Sequence, residues 1–264
     1  MPKFAANLSF LFTELDFPAR FQAAADAGFP AVEYLFPFVR SKEDLAEWLQ
    51  AAGLTQALIN MPGGDWENGE RGLTCLPGRE AEFQDGIGRA IEYARALNCG
   101  NVHAVAGLAP AGGSERAAFE ETYRRNLSWA ADAVAPHGLT LTIEPINGKR
   151  DVPGFFLQSS GQALAIMDEL GKANIKLQFD VYHVQIMEGD LVHRFRACVD
   201  RVGHIQIANP PDRNEPDHGE INYAHLFGEI DAAGYDGWIG CEYKPRAGTV
   251  EGLGWGRDYG LKST

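Results

Sequence analysis

The chain has 264 residues, 45% of them hydrophobic, and its 36 Asp and Glu outnumber 23 Lys and Arg to give a formal net charge of −13. That size suits one large domain with a full core, spanning residues 1–264. The acidity disfavours a nucleic-acid partner, which draws on clustered Lys and Arg, and its plain physical effect is solubility. No run approaches ~18 consecutive apolar residues, so no membrane span is expected. The first residues, MPKFAANLSFLF, read as a strand rather than a signal peptide. Cys75, Cys99, Cys198 and Cys241 form no CxxC pair. That argues against a zinc or redox motif and suits reduced thiols in a cytoplasmic protein.

In chain order, Phe4 to Ser9 has the length and loose alternation of a strand. Asp16 is placed to cap a helix with Pro18 in its first turn and Gly28 just past its end. Ala31 to Phe36 is a second strand. Ser41 opens a helix with Leu45, Trp48, Leu49 and Ala52 on one face, closed by Gly53. Thr55 to Asn60 is strand three. Met61 to Gly78 (MPGGDWENGERGLTCLPG) then breaks the rhythm. A Gly- and Pro-rich loop of that length is either a lid or binding loop or a cover over one end of the fold. Glu80 to Leu97 is helical, and Asn101 to Val105 is strand four. Ser114 is expected to cap a long helix with Phe119, Tyr123, Leu127 and Val134 inward. Strand five runs from Leu139 to Glu144, with a helix from about Ser159 to Leu170 behind it. Strand six is Ile175 to Asp180, Leu191 to Cys198 lies in a helix, and strand seven is Val202 to Ile207. The polar loop Ala208 to Glu220 leads to a helix with Tyr223, Leu226, Phe227 and Ile230 inward. Trp238 to Glu242 is strand eight, and a short closing helix starts near Val250. Eight strands alternating with eight helical segments over ~250 residues imply a parallel (β/α)8 TIM barrel. The competing doubly wound sheet lacks a GxGxxG after its first strand.

Three of these strands finish in an acid: LTLTIEPIN at Glu144, IKLQFD at Asp180 and WIGCE at Glu242. Pro145 holds Glu144 extended and cannot donate to a ladder, so Glu144 should end its strand. In such a barrel the site lies at the C-terminal strand ends, where these acids would converge. Gln206 of VGHIQI lies near the same rim. Two unit charges ~4 Å apart cost about 4 kcal/mol at an effective dielectric of 20. The acids therefore need protons, a cation, or pairing with Lys or Arg at the barrel mouth. Glu144, Asp180, Glu242 and the Gln206 amide oxygen form an all-oxygen donor set, which selects Mg²⁺, or Mn²⁺, over zinc. His183 lies three residues past Asp180. Arg213 in PPDRNEPDHGEINY, Lys244 just beyond Glu242, and Arg71 in the long loop are candidate cations for a bound oxyanion. His103 and His204, within strands, read as structural.

FAANLSFLF, GDWENGERGLTCLPGRE, IEPIN with DVPGF, FDVYH, GHIQIA with RNEPDHGEINY, and GWIGCEYKP together resemble the hydroxypyruvate isomerase family. These segments cover nearly the whole chain. The resemblance implies a xylose-isomerase-like barrel, related to the ketose 3-epimerases, that interconverts hydroxypyruvate and tartronate semialdehyde. It assigns the acid/base pair to Glu144 and Glu242. The epimerase metal set matches Glu144, Asp180 and Glu242, with Gln206 where those enzymes have histidine; that departure weakens metal retention and favours Mg²⁺. Their substrate-contacting His and Arg match His183 and Arg213. A sister group acts on 2-oxo-tetronate and shares MPKFAANLS and GWIGCEYKPR; IEPIN and DVPGF tilt the reading to hydroxypyruvate. The expected partner is a small 2-oxo or hydroxy acid. Two readings from other classes stand beside this one, a DNA-repair nuclease and a non-catalytic sugar-acid binder. A second copy of the chain, in a homo-oligomer, is a further candidate partner.

Overall fold

The computed structural model describes residues 1–263. Eight strands close a barrel in chain order: β1 (Lys3–Asn7), β2 (Ala31–Tyr34), β3 (Thr55–Asn60), β4 (Asn101–His103), β5 (Thr140–Ile143), β6 (Ile175–Asp180), β7 (Val202–Ile207) and β8 (Trp238–Cys241). Every neighbouring pair is parallel, and β8 returns to β1 with Phe4 opposite Ile239. The surrounding helices are α1 (Phe17–Asp26), α2 (Lys42–Ala52), α3 (Glu80–Ala96), α4 (Gly113–Val134), α5 (Ser160–Leu170), α6 (Val181–Met187), α7 (Leu191–Cys198) and α8 (Tyr223–Ala232), and a 3₁₀ segment, Glu251–Tyr259, closes the fold. Among the described residues, no helix is long and apolar enough to cross a membrane.

Local chemistry explains most of the boundaries. Ser41 and Ser159 each accept a bond from a backbone N–H three residues on, and Gly53 and Gly171 end those two helices in the left-handed conformation. A side chain there would be strained, so glycine is the residue that stops the helix cleanly. β1 stops at Asn7 rather than at Ser9 because the Asn7 Oδ1 accepts from Ser9 N and turns the chain. β4 ends at His103 rather than Val105 because the long loop claims the extension. Thr74 bonds the Val105 carbonyl through both N–H and Oγ1, and Gly72 bridges Ala106. Ser114 does not cap α4. The helix begins at Gly113, with Gly112 at the cap position, two residues before the expected one.

One helix is absent from the sequence reading. α6 starts directly at the end of β6, and Asp180 is its cap: Oδ1 accepts from Tyr182 N at 2.8 Å and His183 N at 3.3 Å. The Asp N-cap signal was present. The element is only seven residues long, too short for its periodicity to show.

All four cysteines are buried, and burial pushes the thiols of Cys75 and Cys99 up to about 12 and that of Cys198 up to about 11. Thiolate is the reactive form. The native protein should therefore resist thiol-directed reagents at mildly alkaline pH, and all its cysteines should react once it is denatured. Rapid labelling of any of them in the native state would contradict this packing.

Candidate active site

The C-terminal ends of the strands enclose a cavity of about 130 Å³, which Glu144, His183, Gln206, Arg213 and Glu242 all help to line. One water needs about 10–15 Å³ of such space, so the cavity has room for a small molecule of several heavy atoms. Glu144 follows β5, and Pro145 ends the ladder there. Glu242 follows β8 but still donates its N–H to Ile207 O at 3.1 Å, which fixes its direction. Asp180 is 1% exposed and sits behind His183 and Arg213 rather than in the cavity wall. His183 Nε2 lies 3.7 Å from Glu144 Oε1 and 3.7 Å from Asp180 Oδ2.

Arg213 is the cation of the cavity. Reciprocal backbone bonds between Asn209 and Asn214, 2.9 and 3.1 Å, close a tight loop in which Arg213 takes φ 61°. Its guanidinium carbon lies 5.0 Å from the ring centroid of Phe10 and 5.0 Å from that of Tyr182. Nη2 reaches Glu242 Oε1 at 3.0 Å and lies 4.0 Å from Asp180 Oδ2. Sandwiching between two rings holds the planar group in one orientation.

Two expected cations are elsewhere. Lys244 is exposed and does not line the cavity; its backbone N–H instead donates to Arg213 O at 2.7 Å. Arg71 stacks on Trp66 with its guanidinium carbon 4.4 Å from the ring centroid, and it donates to Trp66 O and Glu70 O at 3.0 and 2.6 Å. Trp66 lines the cavity and Arg71 does not. The long loop thus presents an aromatic wall, with its arginine spent on bracing that wall. His103, read as structural, also belongs to the cavity wall, with Nδ1 3.2 Å from Asn60 Oδ1 and 3.6 Å from Glu144 Oε2. His204 is indeed internal: its Nε2 meets Glu33 Oε2 at 2.6 Å.

Glu33 was missed by sequence reading. It is 1% exposed, and besides His204 it accepts from Asn7 Nδ2 at 3.0 Å and Gln206 Nε2 at 2.8 Å. Gln206 Oε1 in turn accepts from Gln178 Nε2 at 2.6 Å, and the same Gln178 nitrogen donates to Glu144 Oε2 at 3.1 Å. A chain of amides therefore links a buried acid below the site to one of the acids in it. The available signal was Glu33 within AVEY: parallel strands of such a barrel are buried on both faces, so a charge there needs internal partners.

Burial is the largest influence on the carboxyls. It raises Glu144, which the charges of Asp180 and Glu242 raise further. Burial likewise raises Asp180, and it pushes Glu242 up to about 8 against the opposing pull of Arg213. Burial and then Arg213 hold His183 below its ordinary value, so its imidazole is neutral. Three crowded carboxyls facing one guanidinium leave a deficit of positive charge that a divalent cation would fill. Glu144, Asp180 and His183 offer atoms within 4.8 Å of one another, close enough to share an ion. The residues thus fit a metal.

This closed barrel, with its acids at the strand ends, matches the family model for the xylose isomerase-like TIM barrel over residues 21–259, and the chain belongs to that class. A 2-oxo-tetronate isomerase of Cupriavidus necator is 54% identical, covering 98% of this chain and 99% of its own. The hydroxypyruvate isomerase of Escherichia coli is 47% identical over 97% of this chain and 98% of its own. A crystal structure described as AP endonuclease, family 2, from Brucella melitensis superposes with a TM-score of 0.95 at 46% identity, covering 98% of this chain and 99% of that one. Within the class, the chain is a member of the family of hydroxypyruvate and 2-oxo-tetronate isomerases.

Gly240 of β8 faces Glu33 of β2 across the intervening strand β1, inside the barrel. A Cβ at that position would fall 2.3 Å from Glu33 Oε1 and 2.4 Å from Oε2. Gly240→Ala should lower stability by about 1–3 kcal/mol, the usual cost of overpacking, in chemical denaturation. Gly254→Ala, where a Cβ meets nothing within 4 Å, is the control. Equal midpoints for the two variants would contradict this contact.

Proposed function

We propose that this protein is an isomerase that interconverts hydroxypyruvate and tartronate semialdehyde through an enediolate. One observation carries the reading: Glu144 and Glu242, delivered by two separate strands, line one small cavity together with His183 and Arg213. Isomerisation takes a proton from C3, returns one to C2, and moves another from the C3 oxygen to the C2 oxygen. One of Glu144 and Glu242 removes the carbon proton and the other returns one to the neighbouring carbon. Burial raises both carboxyls, which favours their holding a proton long enough to pass it on. His183 Nε2 serves the oxygens. Arg213 offers its fork to the substrate carboxylate and supplies the positive charge that an acidic protein otherwise lacks at this point.

Glu144, Asp180 and Glu242, with the second lone pair of Gln206 Oε1, would hold a divalent cation, Mg²⁺ first and Mn²⁺ second. Such an ion would supply positive charge to offset the negative charge that develops in the enediolate. The barrel as one catalytic domain, a cytoplasmic location and a small acid as the partner accompany this reading.

A longer substrate, 2-oxo-tetronate, is favoured by the 54% identity to the Cupriavidus necator enzyme. Side-by-side rates on the two acids decide between them. The nuclease reading finds little support. Nuclease sites of this barrel class rest on clustered histidines for zinc, whereas acids dominate here, and the chain carries a net charge of −13. Retention on DNA at low salt would reopen it.

Glu144→Gln and Glu242→Gln should each reduce kcat by at least ~10²-fold while the circular dichroism spectrum stays that of the parent. Near-normal turnover by either variant removes that glutamate from the mechanism. Chelation with EDTA should abolish activity, and Mg²⁺ or Mn²⁺ should restore it. Full activity in rigorously metal-free protein would leave the carboxyls acting without an ion.

A further inference from the structure

Asn147 is completely buried, and each polar atom of its side chain is committed. Oδ1 accepts two backbone bonds, from Arg150 N at 2.9 Å and Asp151 N at 3.1 Å. Those two N–H groups can only donate, so they fix which end of the amide is oxygen. The Nδ2 end is therefore turned to His183 Nδ1, 2.7 Å away, and to the Asp151 carboxylate. The backbone N–H of Asn147 also points at His183 Nδ1, at 3.4 Å. One ring nitrogen thus faces two donors within hydrogen-bond range, while the nearest acceptor, Asp151 Oδ2, lies beyond it at 3.8 Å; a nitrogen that accepts both carries no proton.

From this we infer that Asn147 is a positioning residue: it holds His183 in the tautomer with its proton on Nε2, facing Glu144 and Asp180, so that His183 acts as a hydrogen-bond donor to a substrate oxygen and not as a metal ligand. The donor role rests on the isomerase reading; the tautomer does not. A histidine that ligates a metal through one nitrogen donates its other N–H to an acceptor. The arrangement at His183 is the reverse, since its second nitrogen meets donors. Ligation through Nε2 would leave the ring as an imidazolate beside two carboxylates, Glu144 and Asp180, each 3.7 Å from that nitrogen. Of the three groups close enough to share an ion, the two acids remain as ligands and the histidine is left to the substrate.

The test is ¹H–¹⁵N NMR of histidine-labelled protein, with the His183 signals identified by their loss in His183→Gln. The expected spectrum has a protonated, pyrrole-type Nε2 and an unprotonated Nδ1, unchanged when Mg²⁺ is added. A proton on Nδ1, or an Nε2 signal that changes to that of a ligated nitrogen with Mg²⁺, overturns the proposal. Asn147→Asp keeps the two backbone bonds to the side-chain oxygen but replaces the Nδ2 donor with an acceptor, drawing the ring proton to Nδ1. That variant should show the inverted tautomer and a kcat lower by about 10²-fold, with KM within a few-fold of the parent. An inverted tautomer with undiminished kcat overturns the donor role. If Asn147→Asp does not fold, the parent spectrum with and without Mg²⁺ still decides the tautomer. A parent protein that turns over neither acid overturns the isomerase reading and the donor role with it, and the spectrum distinguishes that failure from a wrong tautomer.

Discussion

Repulsion among Glu144, Asp180 and Glu242 is the constraint around which the rest of the molecule is arranged. Each is nearly or wholly removed from water, and burial raises all three. A fold tolerates such a concentration of charge only when every oxygen has a partner and some positive charge stands near. Arg213 provides the charge. Backbone donors at the start of α6 serve Asp180, and Gln178 serves Glu144. The strained turn at Arg213, the two rings around its guanidinium and the loop closed by Asn209 and Asn214 all serve to keep one cation in one place.

The barrel makes this concentration affordable because its hydrogen-bonded wall is independent of the site. Strand pairing is continuous around the ring, and the apolar residues between strands and helices form one large cluster. A set of buried polar residues fills the inside of the barrel and its upper end. There Glu33, Gln206 and Gln178 form a ladder of donors and acceptors whose directions are mutually dictated. Amides suit that ladder since each carries both a donor and an acceptor. A histidine at position 206 would have to satisfy Glu33 with one nitrogen and face Gln178 with the other, and so would reshape the whole row.

Much of this was legible in the sequence because the relevant signals are local. A strand that runs into Glu-Pro must end there, so Glu144 could be placed without coordinates. Asp180, Gln206 and Glu242 followed from the same counting of strand ends, and the alternation of apolar segments led to the barrel. What stayed hidden depends on direction rather than on position. Arg71 and Lys244 lie close in sequence to the right places but point elsewhere, since nothing in a loop's composition says which way a long side chain leaves it. Glu33 was hidden for a different reason. Its strand is buried on both faces, so no alternation marked which residues look into the barrel. His103 was read as structural on the same missing cue.

The bond from the Lys244 main chain to the Arg213 carbonyl has a bearing on how such a protein can change over time. The grip is made by peptide atoms, which nearly every amino acid supplies alike, so the outward-facing side chain at 244 is free to drift without disturbing the guanidinium. Proline is the exception, because it lacks the hydrogen that the clasp uses. Variation at this position among descendants of the same ancestor therefore records the surroundings of the protein and says little about the acid it handles.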